Sequence, residues 1–312
     1  MNSKRRLFVV LGAALLGVAV AGSALSTTHG SNGLIVYAQE VDGHSQLFTI
    51  RPDGSGAKQI TKGLDWKNPD WSSDGQSIVV GREGANQAGV VTMAADGTGV
   101  RTLTPKGFQG QPSFSPAGRW IAYERDIAPG NNGVWLMRSN GTGLRRVTRN
   151  PFRGGDCGCD TDPNFSPDGK LISFVRIKQG EKLQALFVVR PNGTGLRQLT
   201  PYSWEVAIKH DWSPDGKLIL LTTNADFVTP GASANLVTIR PDGTGKTQLT
   251  EFTGGSKNAF AGSFSPDGKQ IAFRLEDGAT YSLATMDLAS RAITRLKTGQ
   301  DKPRFIDWGT HQ

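Results

Sequence analysis

A short unit built on an aromatic residue and a Ser-Pro-Asp-Gly turn returns along the chain, and this repetition constrains the fold more than any other feature. It reads NPDWSSDGQSIVV at 68–80, QPSFSPAGRWIAY at 111–123, DPNFSPDGKLISF at 162–174, KHDWSPDGKLILL at 209–221 and AGSFSPDGKQIAF at 261–273. A second unit alternates with it, as LFTIRPDGSGAKQIT at 47–61, VVTMAADGTGVRTLT at 90–104, VWLMRSNGTGLRRVT at 134–148, LFVVRPNGTGLRQLT at 186–200 and LVTIRPDGTGKTQLT at 236–250. A degenerate sixth copy of the second unit spans Tyr281 to Lys297. A period of about 40–50 residues belongs to propellers and solenoids.

Each unit reads as a β-hairpin. In Ser-Pro-Asp-Gly the proline sets φ at the second position of a type I turn and glycine takes the fourth. The Asp/Asn-Gly-Thr-Gly of the second unit is equally turn-forming. The flanks, Lys170 to Val175 and Leu186 to Val189 among them, are apolar runs of strand length, as expected where both faces of a sheet are covered. Two hairpins make one four-stranded blade. Trp71, Phe114, Phe165, Trp212 and Phe264 recur at one place on the first strand and are expected to pack between blades. The chain enters with GLIVYAQE (33–40), which matches the second strand of a blade, and leaves with RFIDWG (304–309), where Asp307 and Trp308 match Asp211 and Trp212. The C-terminal strand therefore completes the N-terminal blade and leaves no open edge. The fold expected is an all-β, six-bladed β-propeller over residues 27–312, which repetition makes one closed structure rather than two ordinary domains. The 40 glycines and 16 prolines then mark tight turns instead of disorder.

An aromatic residue followed by Ser-Pro-Asp-Gly-Lys resembles the repeat of the TolB-like propeller family, over roughly residues 32–312. Ser73 in blade two stands for the proline and Ala117 in blade three for the aspartate, departures confined to turn positions. The resemblance implies a six-bladed propeller, and the envelope complex of TolB itself implies a protein or peptide partner in the cell envelope. No counterpart of TolB's α/β domain is expected ahead of this propeller, and no binding residue carries over by motif. Similar propellers cap prolyl-oligopeptidase-type peptidases, but the chain has no Gly-x-Ser-x-Gly motif.

Residues 1–26 join a basic start (Lys4, Arg5, Arg6), an apolar run from Leu7 to Ala21 and a tail of small residues, the pattern of an export signal. Uncleaved, the run from Leu7 to Leu25 is almost long enough to anchor in a bilayer, the one case in which membrane association is expected. Arg5-Arg6-Leu7-Phe8-Val9 resembles the twin-arginine motif with Lys4 where Ser or Thr is usual, and a basic start serves Sec export equally. The expected location is extracytoplasmic, periplasmic or secreted. Loss of this segment removes three positive charges and lowers the formal net charge from +8 to +5. Basic residues are interspersed with acidic ones with no run of five or six, a solvated surface rather than a nucleic-acid stripe.

In a propeller the tight turns gather on one face and the longer connections on the other, and binding residues concentrate on loops held by a rigid frame. Gly63 to Asn68, Arg149 to Asp162, Pro201 to Lys209, Thr222 to Ala234 and Thr253 to Ala261 are the irregular segments of that loop face. Trp66, Asp162, Glu205, His210, Lys257 and Arg304 are expected to ring the mouth of the central channel. Arg125, Arg153 and Trp204, with Trp66 and Lys257, are the charged and aromatic types that anchor interfaces.

Both cysteines, Cys157 and Cys159, sit in the loop before blade four. An oxidising compartment favours a local disulfide, although loop entropy supplies only about 1.6 kcal/mol for so small a ring. A reactive redox pair, free thiols or a metal are the other readings. Asp160-x-Asp162-x-Asn164 resembles the opening of a calcium loop, but Phe165 stands where that loop needs glycine and Leu171 where it needs glutamate. Asn164 falls at the repeat position of Asp70, Ser113, Asp211, Ser263 and Asp307, and is read as a structural hydrogen-bonding residue. Of His29, His44, His210 and His311 only His210 is placed near the mouth, so no catalytic residue, metal or cofactor is expected.

These readings converge on a non-catalytic binding module that recognises a protein or peptide through the loop face. An enzyme acting on a polysaccharide or lactone would need a converging cluster of carboxylates, histidines or metal ligands at the mouth. A carbohydrate-binding propeller would need an exposed face of Trp66 or Trp204.

Overall fold

The computed structural model describes residues 30–84, 88–104, 108–126, 132–151, 159–178, 183–225 and 231–311. They form six four-stranded antiparallel sheets. The inner strands are Arg304–Thr310, Asp65–Trp71, Phe108–Phe114, Asp160–Phe165, Asp211–Trp212 and Lys257–Phe264 for blades one to six. The C-terminal strand pairs with Asn32–Val41, Trp308 opposite Ile35 and Asp307 opposite Val36, so the ring is closed by the two ends of the chain.

Turn chemistry builds the hairpins as the repeat dictates. The N–H groups of Gly75, Gly118, Gly169, Gly216 and Gly268 donate to the carbonyls of Ser72, Ser115, Ser166, Ser213 and Ser265 at 2.8 Å. In the outer turns glycine answers a second demand. A Cβ on Gly97 would fall 2.0 Å from the Ile60 carbonyl oxygen of blade one, because this turn lies against the neighbouring blade's outermost strand. The threonine that ends the second unit also has a fixed task. The hydroxyls of Thr61, Thr104, Thr148, Thr200 and Thr250 accept the N–H groups of Leu47, Val90, Val134, Leu186 and Leu236 at 2.8 to 3.0 Å.

The core lies between blades, not within one of them. Six apolar clusters occupy the six junctions, including the closing one, where Ile35, Tyr37 and Trp308 of blade one meet Ala272 and Leu283 of blade six. Trp71, Phe114, Phe165, Trp212 and Phe264 each join the cluster shared with the preceding blade, as expected of anchors.

Three segments expected as loops, Gly63 to Asn68, Arg149 to Asp162 and Thr253 to Ala261, lie partly in inner strands. The reason is a bulge. Asn68, Gln111, Asp162 and Phe305 occupy one repeat position at φ between 47 and 53°, and strand pairing resumes beyond it with a shifted register. Polar sequence conceals this continuation.

Candidate functional site

Each inner strand carries near its end a small polar residue followed by the aromatic anchor. Around the ring the polar residues are Asp307, Asp70, Ser113, Asn164, Asp211 and Ser263, and all six line an axial cavity of about 150 Å3 that reaches the Ser-Pro turns. The aspartates tie blades together. Asp307 accepts the Trp71 N–H at 2.8 Å, Asp70 accepts the Phe114 N–H at 2.8 Å, and Asp211 accepts the Phe264 N–H at 2.7 Å. Asn164 instead bonds to Asp162 and to the His210 carbonyl, each at 3.3 Å.

Gathering carboxylates in a narrow channel has an electrostatic cost. Burial and the Asp307 charge push Asp211 up to about 6 and raise Asp70 well above the usual carboxylate range. Lys209, two residues before Asp211, offsets this. Burial alone would lower its pKa, but Asp162, Asp307, Asp211 and Asp70 outweigh burial and raise it above the ordinary lysine value.

Asp162, His210 and Ser173 form a line with the connectivity of a nucleophile relay. His210 Nε2 lies 2.7 Å from Ser173 Oγ, and Nδ1 lies 3.2 Å from both Asp162 Oδ2 and the Ile208 carbonyl. Both oxygens at Nδ1 can only accept in this arrangement, so Nδ1 carries a proton and Nε2 shares a hydrogen bond with the serine hydroxyl. Ser173 and His210 are 0% exposed and Asp162 4%, and the Ser173 oxygen accepts Trp212 Nε1–H at 2.8 Å. A substrate has no approach to that oxygen. The line therefore joins blades four and five structurally.

The loop-face mouth is different. Lys209, Arg274, Lys302 and Arg304 line a cavity of about 310 Å3 together with Phe260 and Phe305. The Arg274 guanidinium lies 4.0 Å from the Phe260 ring, and burial draws its pKa down to about 10 against the opposing pull of Glu276. Glu276 lies 3.0 Å from Arg274 and 3.7 Å from Lys302, while Lys209 is held from the channel side by the repeat aspartates. Positive charge and an aromatic wall converge here.

Residues 126–312 match the PD40 TolB beta propeller domain. The chain belongs to this TolB propeller family. Among curated proteins, it is 28% identical over 222 residues to the Protein TolB homolog of Chlorobium luteolum, covering 70% of this chain and 46% of that protein. It is 27% identical over 200 residues to the uncharacterized peptidase YuxL of Bacillus subtilis, covering 52% and 28%. This TolB-family chain thus spans less than half the length of these curated relatives. Among solved structures, TolB from Acinetobacter baumannii superposes with a TM-score of 0.70 at 21% identity, over 89% of this chain and 66% of that one. At that identity the likeness establishes the fold.

The structure separates the residues expected at the mouth of this TolB-family propeller. Arg304 is exposed and lines the cationic cavity. Asp162, Glu205 and His210 are buried. Trp66 is 6% exposed, packed in the cluster between blades one and two with Arg82 5.7 Å from its ring centre, so it cannot act as an exposed anchor. Trp204 is half-buried, with the Lys246 ammonium 4.2 Å from its ring. Arg125 stacks 4.7 Å from Trp135, and the Lys257 ammonium lies 4.8 Å from Phe252. Arg153 and Cys157 lie outside the described residues, as does the export segment, and Cys159 is buried. In the segment that resembles the opening of a calcium loop, Asp160 is engaged by the Arg176 guanidinium at 2.6 and 2.7 Å and by the Thr148 hydroxyl at 2.6 Å.

Sequence reasoning missed Lys209, Phe260, Arg274 and Lys302. Lys209 carried one signal, as a cation two residues before a repeat aspartate. Phe260 and Arg274 face each other across the first hairpin of blade six, and Lys302 joins them from the segment that leads into the closing strand.

Proposed function

We propose that this propeller is a non-catalytic, extracytoplasmic binding module that recognises a protein or peptide partner through its loop face. The observation that carries this reading is the cationic cavity of Lys209, Arg274, Lys302 and Arg304 against Phe260, at the axial mouth of a rigid ring. A concave site with a few convergent charges and an apolar wall suits an acidic side chain or a terminal carboxylate of a peptide. Membership of the TolB family and the export-type N-terminal sequence support a partner in the cell envelope. Burial of Trp66 and the lysine over Trp204 count against sugar stacking.

The test is affinity capture from envelope extract with wild type and a Lys302→Glu, Arg304→Glu double variant. A protein or peptide held by wild type and lost by the variant supports the reading. Retention or breakdown of an envelope polysaccharide, with no protein partner, overturns it in favour of carbohydrate binding or an enzyme.

A further inference from the structure

Blade three departs from the repeat at one place on the opposite face. In blades two, four, five and six an aspartate at the third turn position places its Oδ1 between two donors of its own turn. The hydroxyls of Ser72, Ser166, Ser213 and Ser265 reach Asp74, Asp168, Asp215 and Asp267 at 2.6 to 2.7 Å. The backbone N–H groups of Gln76, Lys170, Lys217 and Lys269 reach the same oxygens at 3.0 to 3.1 Å. Blade three has Ala117 there. Its turn keeps the same backbone, with Gly118 N–H on the Ser115 carbonyl and Trp120 N–H on Ser115 Oγ at 3.0 Å. The Ser115 hydroxyl proton and the Arg119 N–H have no acceptor among the described residues. Two donors thus converge on a point that a carboxylate oxygen fills in four other blades.

The surroundings of this point also depart from the repeat. Trp120 stands where the other blades carry Ser77, Leu171, Leu218 and Gln270, and it is only half-buried. With Leu136, Phe165, Pro167 and Pro191 it walls a groove of about 350 Å3 between blades three and four. Cations border it. Arg119 and Arg145 line the groove, and the guanidiniums of Arg145 and Arg138 lie 5.7 and 5.9 Å from the Trp120 ring centre. The one acid in the lining, Asp168, is engaged by its own turn and by Lys170 at 3.1 Å.

We infer that this groove is a second binding site, taking an acidic peptide segment of a partner protein whose carboxylate occupies the position of the missing aspartate. The carboxylate accepts from Ser115 and Arg119, the arginines neutralise its charge, and an adjoining apolar residue packs on Trp120 and the prolines. Charge complementarity selects this occupant, since Arg119 and Arg145 line the groove, Arg138 lies beside the Trp120 ring, and the carboxylate position is defined by the protein's own repeat.

The repeat also supplies the decisive variant. Ala117→Asp restores the residue that four other blades fold with, so it fills the position from within and leaves the propeller intact. A random linear peptide library is panned on wild type with counter-selection on Ala117→Asp, and enriched peptides are measured by fluorescence polarisation. The expected result is an Asp or Glu beside an apolar residue in the enriched peptides. Binding should weaken about tenfold or more in Ala117→Asp, in Arg145→Glu, and when the peptide carboxylate is changed to the amide. Trp120→Ser, which installs the blade-two residue, should weaken it as well. Absence of an enriched acidic motif, or equal binding by wild type and Ala117→Asp, overturns the inference. So does a wild-type dimer that Ala117→Asp dissociates, which would make a second copy of the chain the occupant.

Discussion

Asp211 of blade five reaches across the channel wall to Phe264 of blade six, accepting its N–H at 2.7 Å while also accepting the Ser263 hydroxyl at 2.9 Å. The same carboxylate lies near Asp307, and burial with that repulsion raises its pKa from 3.8 to about 6. One residue therefore links blades through hydrogen bonds and strains the ring through its charge.

The two effects separate in Asp211→Asn, whose amide oxygen keeps the acceptor and removes the charge. A folded-state pKa raised above the unfolded value contributes stability that is fully present below the unfolded value of 3.8 and lost as pH rises through about 6. Wild type should lose up to about 3 kcal/mol from this group between pH 4 and 8, and the variant should not. Urea denaturation across that range measures it. A variant less stable than wild type at pH 8 would show that the hydrogen bonds need the carboxylate.

Lys209→Met leaves Asp70, Asp162, Asp211 and Asp307 without the cation that faces them. The expected loss at pH 7 is about 3–5 kcal/mol. Lysine's own raised pKa keeps its contribution constant below the ordinary value of 10.5, so any pH response of this variant belongs to the carboxylates. The destabilisation should shrink toward pH 5 as Asp211 and Asp70, both raised by burial, take up protons. A loss independent of pH would mean that packing, not charge, is the role of Lys209.

Trp308→Ala should destabilise by about 3–5 kcal/mol, because this C-terminal residue is 5% exposed at the closing junction. Its Nε1–H also donates to the Gly33 carbonyl at 3.2 Å, tying the two ends of the chain. Thermal unfolding measures the loss, with Leu196→Ala at an exposed outer turn as the mild control. Equal small losses would show that ring closure does not limit stability.

Two outer-turn glycines of blade two should respond differently to alanine. Gly99, at φ +67°, has nothing within 4 Å of an added Cβ, so Gly99→Ala should cost only the left-handed strain, about 1–2 kcal/mol. Gly97, at φ +88°, would also meet the Ile60 carbonyl oxygen of blade one, adding about 1–3 kcal/mol. Denaturation midpoints of the two variants decide it, and equal losses would show that the turn moves freely away from its neighbour.

The sequence by itself determined the hairpins, the count of blades, the closing strand and the aromatic anchors. Each of these rests on local chemistry repeated at a fixed period: proline and glycine in Ser-Pro-Asp-Gly, apolar runs of strand length, and matching ends such as Asp307-Trp308 and Asp211-Trp212. The site was only partly legible. Arg304 lines the cationic cavity, whereas Trp66 entered the core because the strand continues beyond the bulge at Asn68. His210 and Asp162 turned toward Ser173 rather than the mouth. Tertiary structure alone decided that Lys209 would face four carboxylates from three other blades and its own, and that Lys209, Lys302 and Arg304 would share one cavity with the Phe260 and Arg274 pair of blade six. The reason is physical. A turn or strand is encoded within a few neighbouring residues, whereas a site on the axis of a ring is assembled from residues that become neighbours only when the last strand pairs with the first.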